Sequence, residues 1–361
     1  MSSLPIHILG AGPAGLSASI ALARAGREVH LHERYDTIGK RFQGDLQGLE
    51  NWSSKEDVLK SIGSFGLIPN FEATPFHEVI FTDGVKTLLN KSKEPLFYLV
   101  KRGPFQNSLD YGLLEQALQH DVKINYRSNF PASESDIIAT GPIRQALVAS
   151  DKGLVFKTSL PNIAIGIFHD DLAYLGYSYL LIAQGYGCLC TVVFNDFHRL
   201  NRCFERTIEV ARRFAKLDLT NARPVGGVGS FTLDQSATKG KSLLVGEAAG
   251  FQDMLWGFGI RTALSSGYLA AQSLLTNQDY SKIAEKTFSP YLKASIVNRF
   301  LWETLKWRSK PILPFLLQSP LSLRAKFQAL YNFSPIHRCL YPFALNYVKR
   351  HYPDCFTPIQ I

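Results

Sequence analysis

The sequence predicts an α/β chain in which a discontinuous parallel-sheet domain is joined to an α+β domain and a helical C-terminal region. Three observations carry that expectation: a Gly-rich strand, turn, helix and strand at the start, a second strand and glycine loop near residue 245, and runs of β-branched and aromatic residues between them. The 361 residues, 46% hydrophobic and 19% charged, suffice for two medium domains and are too apolar for dominant disorder.

The opening unit reads Pro5-Ile-His-Ile-Leu9, Gly10-Ala-Gly12-Pro13-Ala14-Gly15, a helical run to Ala25, and then Glu28-Val-His-Leu-His-Glu33. This spacing is the Rossmann-like dinucleotide fingerprint. Gly10 permits the tight turn, Gly12 lets backbone approach a pyrophosphate at the positive helix end, and Gly15 lets helix and strand pack closely. Glu33, with Arg34 beside it, ends the second strand, where a carboxylate accepts ribose hydroxyls. His7, His30 and His32 lie on the two strands and are expected to be structural.

The second unit is Leu243-Leu-Val-Gly246-Glu247-Ala-Ala-Gly250, a loop ending Gly257-Phe258-Gly259, and a long helix through Ser265-Ser-Gly-Tyr-Leu-Ala-Ala. Together the two units resemble the flavoprotein superfamily of para-hydroxybenzoate hydroxylase and the geranylgeranyl reductases. The resemblance implies FAD as cofactor, with Glu247 on its ribityl chain and the helix after Gly259 facing the flavin ring. It also implies that Arg41, in Ile38-Gly-Lys-Arg-Phe-Gln-Gly-Asp45, and Arg102 touch the cofactor. By its Ala139-Thr-Gly-Pro142-Ile-Arg144 and Gly176-Tyr-Ser-Tyr segments the chain is more similar to the reductases than to the monooxygenases or halogenases.

The implied activity is reduction of a C=C bond in an apolar, isoprenoid or lipid-like substrate, with FAD-dependent oxygenation of an aromatic substrate as the alternative. Gly226-Gly-Val-Gly229 reads as a flexible loop and not as a second dinucleotide fold, so NAD(P)H is the expected transient electron donor, with an unidentified partner as the other source of electrons. Tyr177, Tyr179 and Asp253 are candidate proton donors, and Gln252 and Trp256 candidate substrate contacts; both tyrosines read equally well as packed aromatics. No metal site is expected, since the five cysteines are scattered without a C-x-x-C pair.

The implied FAD-binding domain comprises 1–75, 96–150 and 220–290, and the substrate-covering sheet 76–95 and 151–219. The charge-free stretch Leu172 to Asn195 reads as an antiparallel hairpin around Gln184-Gly, not as a membrane span. Of the formal charge of +9, the last segment, 291–361, carries +8, ten Lys/Arg against Glu303 and Asp354. The body is thus nearly neutral, and no nucleic-acid partner is expected. In the tail, Arg299, Trp302, Lys306, Trp307, Arg308 and Lys310 interleave cations with indoles. This suits peripheral contact with an anionic membrane, with packing on the first domain as the other reading. The eight prolines from Pro290 onward predict only short helices. A cytoplasmic protein is expected, with any attachment on the inner face of the membrane.

Overall fold

A computed structural model describes residues 4–142, 147–233, 236–305 and 322–357. The first sheet has six strands in the order Thr238–Lys239, Ser242–Leu244, Ile137–Ile138, Ile6–Leu9, Val29–His32 and Lys123–Asn125. All its pairings are parallel except that of the edge strand Thr238–Lys239. Two helices, Pro13–Arg24 and Ile260–Thr276, pack against each other beside this sheet. Their close approach depends on small residues: a Cβ at Gly267 would stand 2.1 Å from the Ala14 carbonyl oxygen, and the Ser17 hydroxyl donates to the Leu264 carbonyl at 2.8 Å. Below the fingerprint, His7 and His32 bond each other at 3.0 Å and stack on Phe130. Burial lowers the His32 pKa to about 4, which fits a neutral, structural imidazole.

The second sheet has seven strands, ordered Arg223–Ser230, Leu147–Lys157, Tyr186–Phe194, Tyr177–Ala183, Ile163–Ile167, Glu78–Thr82 and Thr87–Lys91. Only Ile163–Ile167 and Glu78–Thr82 run parallel. The expected hairpin is present, closed by Gln184 and Gly185 with φ of 51° and 78°, a two-residue turn of the kind that matches strand twist. Side-chain alternation gives the sheet two unlike faces. One carries Phe156, Ile165, Ile167, Leu180, Ile182 and Leu189 and is covered by the helix Leu200–Ala211. The other, by register, carries Asp151, Tyr177, Tyr179, Cys188 and Cys190 beside Gly153, Gly166, Gly227 and Gly229. A short third sheet has the order Leu46–Glu50, Phe97–Lys101 and Ala73–Phe76, all antiparallel.

Several expectations need correction here. Residues 223–230, placed by sequence in the first domain from residue 220 onward, form the edge strand of the second sheet, and Gly226 to Gly229 are strand rather than loop. Glycine is used there because neighbouring side chains fill the space: a Cβ at Gly227 would lie 3.1 Å from Asp151. The C-terminal prolines do not restrict helices to short pieces. Tyr280–Thr304 runs 25 residues with Pro290 inside it, and Pro335–His351 runs 17 with Pro342 inside. Burial of Phe288, Tyr291 and Ala294 around the first of these prolines offsets a cost of about 3 kcal/mol for an interior proline.

The start of the basic tail is core, not surface. Arg299 is fully buried, its guanidinium 3.5 Å from the Phe194 ring centroid and ion-paired with Glu303. Trp302 packs edge-on to Phe168 and Trp256. Residues 306–321, with Lys306, Arg308 and Lys310, lie outside the described residues, as does Arg144. Among the described residues no helix is long and apolar enough to cross a membrane.

Candidate functional site

The helices that begin at Val58, Leu109, Tyr280, Leu323 and Pro335 each carry an Asp or Ser cap whose side chain accepts a backbone N–H. The two that follow Gly12 and Gly259 carry none. Both begin beside Gly246, where a Cβ would meet Ala14 at 3.0 Å and Ala263 at 3.5 Å. Uncapped helix starts leave backbone donors and positive dipole ends for an anionic or polar ligand.

The fingerprint glycines divide by role. Gly10 (φ 102°) and Gly15 are packing positions, since added Cβ atoms would stand 2.4 Å from the Ala139 oxygen and 2.0 Å from the Gly10 oxygen. At Gly12 an added Cβ would find no atom within 4 Å. Its lack of a side chain therefore keeps space open, and serves no internal packing. Glu33 accepts from the Ala11 N–H at 3.1 Å and the Tyr35 N–H at 3.0 Å, fixing the turn. Arg34 is exposed, its guanidinium over the Tyr35 ring at 4.7 Å.

Arg41 joins three parts of the molecule. It pairs with Glu247 at 3.5 Å, donates to the Val228 carbonyl at 3.3 Å, and offsets the burial that raises the pKa of both Glu247 and Asp151. Arg102 is one of the charges that lower the Glu247 pKa against burial. It is clamped by Asp110 through two bonds of 2.8 and 2.9 Å, donates to Gln47 at 2.7 Å and lies over Phe42. Those contacts make it a buried support for the loop at Gly103.

The glycine loop is a compact aromatic unit. Asp253 is fully buried and accepts from the Leu255 and Trp256 N–H groups and the Tyr331 hydroxyl, while burial raises its pKa to about 6. Its oxygens are thus committed to the loop. The Tyr177 hydroxyl donates to the Trp256 carbonyl and lies 3.6 Å from a Cβ position at Gly257. Gln252 donates to the Gly257 carbonyl at 3.2 Å, and its buried Oε1 has no partner. Trp256 packs among Trp302, Phe168 and Phe327, and Phe258 fills the notch at Gly48 against Trp52.

Sequence reasoning missed the groups facing this loop from the second sheet. Cys190 points its thiol at Asp151, 3.8 Å away, and Cys188 and Cys190 share their face of the sheet with Tyr179. Burial pushes the Cys188 thiol up to about 12 and the phenols of Tyr177 and Tyr179 upward, so all stay protonated at neutral pH. Asp45, with one oxygen buried and unpartnered, is raised to about 6 by burial. The alternation of Cys188 and Cys190 was visible in the sequence; which face they share was not.

Residues 8–45 match the family model of an NAD(P)-binding Rossmann-like domain. Over 208 residues the chain is 26% identical to hydroxysqualene dehydroxylase of Zymomonas mobilis, covering 47% of this chain and 50% of that protein. The chain spans half or less of the length of the curated relatives it matches. Among solved structures, a geranylgeranyl bacteriochlorophyll reductase-like protein of Thermoplasma acidophilum superposes with a TM-score of 0.68 over 97% of both chains, at 17% identity. The chain has the fold of this reductase-like protein. A flavin-dependent brominase shares this fold with a TM-score of 0.65, over 96% of this chain and 98% of that one at 15% identity. The same fold therefore occurs in proteins of different activity.

Proposed function

We propose that the chain is an FAD-dependent oxidoreductase that reduces a C=C bond of an apolar, isoprenoid or lipid-like substrate. The observation that carries the FAD reading is the open position at Gly12 in front of an uncapped helix, adjoined at Gly246 by a second uncapped helix start. The donor set fits the group. Gly10 to Gly15 would hold the diphosphate, Glu33 the ribose, Glu247 with Arg41 the ribityl chain, and the helix after Gly257-Phe258-Gly259 the ring. Bound FAD supplies hydride transfer, with NAD(P)H as the donor that reduces it.

Reduction of an alkene needs a proton as well as a hydride. The second sheet presents a carboxyl group, Asp151, whose pKa is raised by burial, beside the neutral thiol of Cys190 and the phenol of Tyr179. An acid held closer to neutrality is the type of group that delivers such a proton. Trp52, Trp256 and Phe258 give this region an apolar wall. In this reading Asp151 takes the part that the sequence suggested for Asp253, whose oxygens already serve the loop.

Peripheral contact with an anionic membrane is proposed for 291–361 through the exposed Ile336 and Phe343, which share one face of the helix Pro335–His351 with Arg350. Apolar side chains bordered by cations suit an anionic interface.

Anaerobic incubation of the purified protein with NADPH and a polyprenyl alcohol tests the reaction. Saturation of the alkene without oxygen supports the reductase. Oxygen uptake stimulated by an aromatic substrate, with no alkene reduction, would assign the chain to the oxygenases instead.

A further inference from the structure

A cavity of about 810 Å³ opens between the two domains, and its wall is built differently from the apolar loop region. Three cations reach it from three separate strands: Lys101 at the end of Phe97–Lys101, Lys157 at the end of Leu147–Lys157, and Arg223 at the start of Arg223–Ser230. None of the three forms an ion pair with a carboxylate among the described residues. Lys101 sits 3.6 Å from the Tyr186 ring centroid, and Arg223 donates to the Gln43 carbonyl at 3.0 Å.

The two acidic side chains in the wall are turned to local tasks. Asp218 accepts from the Thr220 N–H and hydroxyl, and Glu72 accepts from Asn107. The cations therefore meet the cavity with little internal neutralisation, although they cluster where like charges repel. Two rings, Phe105 and Tyr186, supply flat apolar surface beside them. The cavity also reaches Gly44, in the same loop as Arg41, and Val155, which pairs in register with Cys188. It thus adjoins the face that bears Asp151, Cys188 and Cys190.

We propose that this cavity binds the diphosphate and a ring of a nucleotide, the pyridine dinucleotide that serves as electron donor. Unpaired cations on fixed strand ends match phosphate oxygens, and the flanking rings match a planar base or nicotinamide. The size is that of a ligand site and not of a water pocket. The proposal rests on the oxidoreductase reading, which requires an external reductant; a diphosphate carried by an apolar substrate shares the same phosphate chemistry.

Calorimetric titration of the full chain with NADP⁺, inorganic pyrophosphate and a dodecyl diphosphate tests it, with flavin content measured on the same samples. NADP⁺ is expected to bind, more tightly than pyrophosphate, and Lys157→Glu is expected to weaken it at least about 10-fold, since one phosphate contact becomes a repulsion. Lys157→Arg should restore binding, and neither variant should alter flavin content or melting temperature. Dodecyl diphosphate binding more tightly than NADP⁺, with the same sensitivity to Lys157→Glu, would give the cavity to the substrate and overturn the donor assignment. Absence of NADP⁺ binding, or binding indifferent to Lys157→Glu, overturns it as well. Failure of the FAD reading would appear separately, as protein without flavin.

Discussion

The Tyr177 hydroxyl, on the central hairpin of the second sheet, donates its hydrogen bond to the main-chain carbonyl of Trp256 in the glycine loop of the first domain. One half-buried phenol therefore ties the chemical face of the sheet to the loop before the helix Ile260–Thr276. Tyr177→Phe keeps the ring and removes the bond, leaving a buried carbonyl with its acceptor unmet. A loss of about 1–3 kcal/mol is expected in denaturant unfolding, together with altered flavin fluorescence as the loop relaxes. Unchanged stability and fluorescence would show that the loop does not depend on this tether.

Asp45 offers a pH-dependent test. Its pKa is raised to about 6 by burial, against Arg102 and Arg223, which lower it, and Asp151, which raises it further. Because the folded pKa lies above the unfolded value near 3.9, its protonated form stabilises the fold; that contribution is complete below about pH 3.9 and is lost as pH rises through 6. Asp45→Asn removes the titration. The melting temperature of the variant relative to wild type is expected to be higher at about pH 7.5 than at about pH 4. An offset independent of pH would mean that Asp45 is solvated and ordinary.

The buried pair of Arg299 and Glu303 can be tested by a double-mutant cycle. Glu303 also accepts from the Tyr347 hydroxyl at 2.9 Å and the Tyr352 hydroxyl at 2.5 Å, so Arg299→Met would leave a carboxylate buried with phenols alone. A loss of about 3–5 kcal/mol is expected for that single change. Arg299→Met with Glu303→Leu should recover part of it. A single variant as stable as wild type would place this helix end in water, as the interfacial reading of 299–310 requires.

Vesicle flotation addresses the proposed membrane face. Wild-type protein is expected to float with anionic vesicles at low salt, and Ile336→Ser with Phe343→Ser to reduce the floating fraction several-fold. Failure of wild type to float at any ionic strength would remove the membrane from the account.

The fingerprint from Pro5 to Glu33 and the hairpin around Gln184-Gly185 were legible because each is set by local periodicity and turn chemistry. Less legible were features decided by distant partners. Arg299 and Trp302 resemble an interfacial pattern, yet Phe194, Glu303 and Phe168 enclose them. Gly226 to Gly229 looked like a loop because glycine disfavours strands, and only the pairing with Leu147–Lys157 shows why small residues are needed there. The same holds for Asp151 and Cys190, which stand 39 residues apart in the chain and meet only through sheet register.

The flavin content of Gly12→Asp against wild type bears most directly on the central claim. Gly12 has φ −79° and an added Cβ there would find no atom within 4 Å, so the substitution is not expected to disturb the fold. It would, however, set a carboxylate where the diphosphate belongs. Wild-type protein is expected to release close to one FAD per chain on acid denaturation, and Gly12→Asp to carry almost none while melting at the temperature of FAD-stripped wild type. Wild-type protein that neither carries FAD nor takes it up, or a Gly12→Asp variant that keeps its full FAD, would contradict the account.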